Sequence, residues 1–288
     1  MKCYVFRLKK RMLGIPLAVL AAIGICVAAF ARRGGTEESR LFPSEYGLGA
    51  ETLANAVPQS ESGQKVAYLT FDDGPSEETE KILNAGYENG YAPAILDALK
   101  KHNVKATFFV LGTELEKRPD TYKRIVGEGH VLGLPSFSHE YKEIYASPES
   151  FWNDLDKLQK AVTTLTGQPS TAYRFPGGSS NTVYRRYSKV SGLMDTIIPQ
   201  LSEKGLSYYD WTVSAEDAVG SKKSADYIVN KVVKEALKQD CPVILMHDGP
   251  GHKATAEAIP RIVDELQKEG YSFATLSDSV TCHHSRGK

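Results

Sequence analysis

The chain has little cysteine, and what it has is badly spaced for a metal site. Four cysteines (3, 26, 241 and 282) make no CxxC pair and no zinc-ribbon spacing. Cys241 and Cys282 could pair in an oxidising compartment or remain two thiols. Net charge is missing too: 35 Lys and Arg balance 35 Asp and Glu. The zero hides an asymmetry. Met1–Arg33 holds seven bases and no acid, so residues 34–288 carry 28 bases against 35 acids, a net of −7. A mildly acidic domain lacks the basic footprint of a nucleic-acid binder. No GxSxG turn is present, which removes the usual setting of a nucleophilic serine. Ser136, Ser138, Ser179 and Ser180 read instead as turn formers and caps. No internal repeat is evident.

What is present begins with a long apolar run. Met12–Phe30 is nineteen uncharged, mostly apolar residues behind Arg7, Lys9, Lys10 and Arg11. That length spans a bilayer. The excess of positive charge on its N-terminal side keeps that end cytoplasmic and leaves the rest of the chain outside. The competing reading is a cleaved signal peptide, since Ala29-Phe30-Ala31 has the small-x-small form of a cleavage site. Residues 1–33 are thus a basic stub and signal anchor, or a leader removed after Ala31. Gly34–Gln64 is rich in Gly, Ser, Glu and Ala without periodicity and reads as a linker.

From Lys65 strands and helices alternate. Strands are predicted at Val66–Phe71, Ala106–Val110, His130–Gly133, Ala172–Phe175, Ser207–Val213, Pro242–Met246 and Ser272–Thr275. Helices are predicted at Ala94–Lys101, Pro119–Glu128, Pro148–Leu165, Asp195–Lys204, Ala225–Lys238 and Ala254–Glu269. Such alternation calls for a mainly parallel sheet with helices outside it. Thr79–Leu83 and Ala92–Leu96 look like alternative starts of one helix, so Asn84–Leu96 reads as a thirteen-residue insertion able to wall a cleft. The domain is expected over 65–280, with 281–288 a polar tail whose His283 and His284 point to solvent.

The polar motifs all sit at the C-terminal ends of predicted strands. The first is VAYLTFDDGP (66–75), an apolar strand running into Asp72-Asp73-Gly74-Pro75. Two adjacent carboxylates at a sheet edge cost energy unless a cation or an arginine answers them. Ser136-Phe137-Ser138-His139, Arg174-Phe175-Pro176-Gly177, Asp210-Trp211 with Asp217, and Leu245-Met246-His247 follow. Taken in order, these motifs resemble those of the NodB-type polysaccharide deacetylases, carbohydrate esterase family 4, over roughly Lys65 to Ser279. The resemblance implies a distorted (β/α) barrel of about seven parallel strands. It also implies a metal-dependent hydrolase of N-acetylated sugars. Asp73 and His139 would bind a divalent metal, zinc or cobalt. Asp72 would be the general base with Arg174 holding it, and His247 the general acid oriented by Asp217. Glu216 and Asp210 are close rivals for that last role. Trp211, Leu245 and Pro176 would contact substrate, the first two lining a small apolar pocket for the acetyl methyl.

One position departs from the pattern. The resemblance puts a second metal histidine at 135, where this chain has proline, and proline has no side-chain lone pair to give. That leaves two protein ligands where a hydrolytic zinc usually has three. His130 and His252 are conceivable substitutes, while His102 is remote from every motif. The reading is an extracytoplasmic polysaccharide N-deacetylase at the bacterial cell membrane, acting most plausibly on peptidoglycan, with chitin-like glycans as other partners. The alternatives are an impaired relative that binds glycan without turning it over, and an O-acetyl esterase.

Overall fold

The computed structural model describes residues 4–5, 64–75, 91–115, 117–277 and 280–284. The predicted anchor, the linker up to residue 63, Cys3 and Cys26 lie outside them. Among the described residues no helix is long and apolar enough to cross a membrane.

Ten strands are described: β1 (Tyr4–Val5), β2 (Lys65–Gly74), β3 (Thr107–Val110), β4 (Val131–Gly133), β5 (Ala172–Tyr173), β6 (Ser207–Tyr208), β7 (Val213–Ser214), β8 (Val243–His247), β9 (Tyr271–Phe273) and β10 (Val280–Thr281). β4, β3, β2, β8 and β7 lie side by side, and β9 pairs with the start of β2. All of these pairings are parallel, as is β5 with β6; only β1 with β10 is antiparallel. The bridge Leu134↔Tyr173 joins the end of β4 to β5.

The predicted strand Ser207–Val213 is two short strands, because this stretch changes neighbours half-way. Its first half donates from Ser207 and Tyr209 to the carbonyls of Thr171 and Tyr173; its second half donates from Thr212 and Ala215 to Val243 and Leu245. That switch links β5 to β8 and completes the ring. β2 is its longest strand, with Ala67–Phe71 shielded from solvent. A strand covered on both faces reads as a continuous apolar run, which VAYLTF does.

The helices match their periodicity. Pro148–Thr166 opens on Ser147, whose hydroxyl accepts from the Ser150 N–H at 3.1 Å, and closes on Gly167 at φ 77°. It buries Phe151, Leu155, Leu158, Gln159 and Val162, one stripe at helical spacing. The proposed insertion needs correcting. Tyr91–Lys101 is one helix with Tyr91, Ala92, Ile95, Leu96 and Leu99 buried. Residues 91–96 are therefore core, packed with helix Lys253–Lys268, and not a loop; residues 84–90 lie outside the described set.

Candidate active site

The register of the central strands assembles the site. In the β2–β8 ladder Asp72 stands opposite His247, so strand pairing alone brings two residues 175 positions apart to the same rim. At a parallel sheet's C-terminal end the strands hand over to loops, and side chains there face a common space.

Asp72 is held by Arg174. The guanidinium is 1% exposed, and its Nη1 donates to Asp72 Oδ1 at 2.7 Å. Nη1 also donates to Thr70 Oγ1 (2.8 Å), Nε to the Tyr209 carbonyl (3.0 Å) and Nη2 to the Asp210 carbonyl (3.0 Å). Its carbon lies 4.1 Å from the centre of the Phe109 ring. This is a buried charge with four of its five N–H donors used, unlike an exposed ion pair that holds neither partner firmly. Burial pushes the Asp72 carboxyl upward and Arg174 pulls it back, with burial prevailing.

His247 is held by Asp217. Its Nδ1 lies 2.8 Å from Asp217 Oδ1, and its backbone N–H donates to Asp217 Oδ2 at 2.8 Å. Thr255 Oγ1 donates to the same oxygen at 2.8 Å. Burial disfavours the imidazolium, but Asp217, Asp72 and Asp73 outweigh it and raise His247 to about 9. Asp217 is itself pushed up by burial, and the bonds from His247 and Thr255 bring it below the ordinary carboxylate range. The rival acids have other partners. Glu216 faces Lys231 and Tyr227. Asp210 is buried and accepts from the Ser179 amide (2.8 Å), the Ser179 hydroxyl (2.5 Å) and the His284 amide (2.6 Å).

Asp73 and His139 form the looser side. Both backbones are left-handed, at φ 67° and 57°. His139 Nε2 stands 3.3 Å from Asp73 Oδ1, with about a third of each side chain exposed. Two ligands of one tetrahedral zinc, at about 2.0–2.1 Å each, stand roughly 3.3 Å apart, so these two atoms fit a shared cation. The third ligand is missing. Pro135 is buried at the position in question, and among the described residues no group of three His, Cys, Asp or Glu side chains could hold a metal. The donor set is therefore incomplete for a three-ligand hydrolytic zinc.

The proposed substitutes are occupied elsewhere. His130 precedes β4, at the opposite strand end from Pro135 and His139, where its Nδ1 accepts the Ala106 N–H (3.1 Å). His252 stacks on His247 with ring centres 5.4 Å apart, and its Nδ1 lies 3.8 Å from Asp217. His102 pairs with Asp264. Of the expected substrate contacts, Trp211 is half-buried beneath Arg174, and Leu245 is buried on β8. Pro176 turns its carbonyl to the Tyr145 hydroxyl (2.9 Å). His283 is exposed as expected, but His284 is drawn against the protein. His283 stacks on Tyr208 with centres 3.8 Å apart, and His284 meets the edge of Trp211 and approaches its carbonyl to 2.9 Å. The four serines near the rim bond within the loops: Ser136 Oγ accepts from the His139 amide, Ser138 and Ser179 donate to Asp154 and Asp210, and Ser180 meets His284. Cys241 and Cys282 are buried and form no disulfide among the described residues, and burial pushes Cys282 to about 12.

Two residues escaped the sequence reading. Asp154, on helix Pro148–Thr166, accepts from the Phe137 amide (2.8 Å), the Ser138 amide (3.1 Å) and the Ser138 hydroxyl (2.9 Å), and so fixes the loop that carries His139. Nothing in its helical neighbourhood signals this. Asp248 is buried behind the Asp72-Asp73 pair, and burial with those two charges raises it to about 8. Its Oδ1 lies 2.0 Å from where a Cβ on Gly74 would stand, which explains the glycine in DDGP. The echo of Asp-Gly-Pro at 73–75 and 248–250 was a visible signal.

Comparison with known proteins agrees with this architecture. The polysaccharide deacetylase family profile matches residues 59–194. The catalytic domain of a peptidoglycan N-acetylglucosamine deacetylase from Eubacterium rectale superposes with a TM-score of 0.71 at 33% identity, covering 82% of this chain and 99% of that one. A peptidoglycan-N-acetylglucosamine deacetylase of Bacillus cereus is 33% identical over 214 residues, covering 73% of this chain and 68% of the relative. The peptidoglycan-N-acetylmuramic acid deacetylase PdaA of Bacillus subtilis is 28% identical over 275 residues, covering 88% and 93% respectively. With the parallel-strand ring, the motifs at its rim and a relative of this identity covered almost from end to end, the chain belongs to the polysaccharide deacetylase family.

Proposed function

We propose that this chain removes acetyl groups from the N-acetylated sugars of peptidoglycan, with its domain outside the bacterial cell membrane. The observation that carries the reading is the pairing of Asp72 with Arg174 and of His247 with Asp217 on adjacent strand ends. The two pairs place an arginine-held carboxylate beside a carboxylate-held imidazole, the base and acid that acid–base catalysis requires. Asp72 takes a proton from water as its oxygen attacks the acetamide carbonyl carbon. His247, charged up to about pH 9, gives a proton to the sugar nitrogen as the C–N bond breaks, releasing acetate and a free amine. Trp211, Leu245 and Pro176 border the space for the acetyl group.

Asp73 and His139 hold a divalent cation, zinc or cobalt, weakly, because they supply one ligand fewer than a hydrolytic zinc usually has. The same shortage supports a second reading, a relative that binds glycan with little or no turnover. Incubation of purified peptidoglycan with the metal-supplemented protein separates the readings. Equal yields of acetate and new amine support the N-deacetylase. Acetate without amine indicates ester cleavage, and glycan binding without acetate indicates the non-catalytic relative.

For location, the anchor at Met12–Phe30 and the β1–β10 ladder exclude each other when the N-terminus is cytoplasmic, since residues 4–5 pair with residues 280–281. Protease shaving of intact cells, with an epitope at each end, tests the topology: loss of the C-terminal epitope alone supports the anchored form.

A further inference from the structure

Beside His139 the surface opens into a groove of about 270 Å³, lined by His139, Glu140, Tyr141, Lys142, Val183 and Tyr187. Two observations set it apart from ordinary surface. First, Val183 and Tyr187 are among the most exposed large apolar side chains described, at 42% and 40%, and both face this one groove. Second, the charge here runs against the domain's. Lys142, Arg185, Arg186 and Lys189 are exposed, and none has an ion-pair partner among the described residues; the nearby acids are Glu140, Glu143 and, behind His139, Asp73. Residues 34–288 as a whole carry a net of −7.

An exposed aromatic beside a cleft offers a flat apolar face with a polar tip, which suits the apolar face of a sugar ring. A lysine beside it supplies a mobile point charge for a carboxylate. Tyr141 fixes one wall: its ring meets His139 edge-on at 5.7 Å and Tyr145 at 5.6 Å. The groove therefore continues the proposed cleft on the side of Asp73 and His139.

We propose that this groove is a subsite for the sugar next to the one deacetylated, on a glycan that carries carboxylates, with Tyr187 under the ring and Lys142 opposite the carboxylate. The assignment rests on the deacetylase reading for its position only, since binding can be measured without turnover. In a peptidoglycan strand the carboxylate has two sources, the lactyl ether of a sugar or the attached peptide, and one chemistry serves both.

The test is a calorimetric titration of the full chain with three oligosaccharides of equal length: an uncharged N-acetylglucosamine oligomer, a glycan with free lactyl carboxylates, and the same glycan bearing peptides. The wild type is expected to bind the carboxylate-bearing probes about tenfold more tightly, with the preference shrinking as salt rises. Lys142→Gln should remove most of that preference. Tyr187→Ala should weaken all three probes about fivefold, and in turnover should raise KM more than it lowers kcat. Lys238→Gln, a distant lysine paired with Glu235, should leave the preference intact. A gain already complete with the lactyl probe assigns the sugar carboxylate, and one that needs the peptide assigns the peptide carboxylate. Equal affinity of the wild type for all three probes, or an unchanged preference in Lys142→Gln, overturns the subsite. Absence of acetate release with the carboxylate preference intact would overturn the deacetylase reading and leave the subsite standing.

Discussion

The two sides of the proposed cleft are built differently. On one side Arg174 and Asp217 are 1% and 2% exposed; Arg174 reaches Asp72 through one 2.7 Å bond and is itself fixed by three more, and Asp217 holds His247 through two. On the other, Asp73 and His139 are 37% and 34% exposed and share one 3.3 Å approach. The first side was costly to bury and is organised by the protein alone. Removing one member would leave an uncompensated buried charge. The second side has a fixed backbone, through Asp154 and Ser136, but its side chains wait for something to hold them together. The fold thus fixes Asp72 and His247 through buried partners, whereas Asp73 and His139 stand beside each other half-exposed.

Substitutions can break that contrast, and the largest effect is expected at Asp72. Asp72→Asn should lower kcat by roughly 10³-fold or more, within the range general acid–base groups supply, while metal retention stays near the wild-type value. Asp73→Asn should lose whatever cation the protein retains. If metal analysis shows the reverse pattern, the two aspartates have exchanged roles. His247→Ala should lower kcat by about 10²–10⁴-fold with little change in KM, because a proton given to the leaving nitrogen matters chiefly in the transition state. A change confined to KM would exclude the acid role.

Smaller effects test how the environment sets protonation. His247 is charged below about pH 9 and neutral above it, so kcat should decline as pH rises through about 9. Asp217→Asn removes the carboxylate that most favours the charged form, so the same limb should move to lower pH, with about a tenfold loss of rate at pH 8. An unmoved limb would show that another group titrates there. Pro135→His is expected to act in the opposite direction and most modestly. It would raise the protein ligands from two to three, giving a measurable gain in metal retention and a few-fold gain in acetate release. The gain is limited because Leu134 is tied into the ring through the Ala172 carbonyl and the Arg174 amide, so the backbone at 135 is not free to move. A parent that already retains one metal per chain, with no gain in the variant, would mean another residue supplies the third ligand. His252 would then be the first to replace.

Much of this arrangement could be read from the chain. VAYLTFDDGP announced a buried strand ending in acids because a strand covered on both faces must be continuously apolar. His247 was legible for the same reason, following the run Val243–Met246. The choice of Asp217 over Glu216 and Asp210 rested on the family resemblance and not on residue chemistry, and Asp217 is the one that meets His247. All three lie within eight residues, and which of them meets His247 depends on how the segment after Trp211 turns from β5 towards β8. The helix was predicted from Ala94 and includes Tyr91–Pro93, because Tyr91 and Ala92 are buried where it packs with the helix Lys253–Lys268, a contact between distant segments; residues 79–83 lie outside the described set.

By itself the sequence determined the alternation of strands and helices, the order of the motifs and the proline at 135, since periodicity and residue chemistry are local properties. Tertiary structure alone decided the rest. It set Asp72 opposite His247, buried Arg174, put Asp154 under the His139 loop and drew His284 out of the polar tail onto Asp210 and Trp211. Each of these is a contact between residues far apart in the chain. The first is set by strand register and the others by polar groups that find partners as water is excluded, conditions that exist only after the chain has folded.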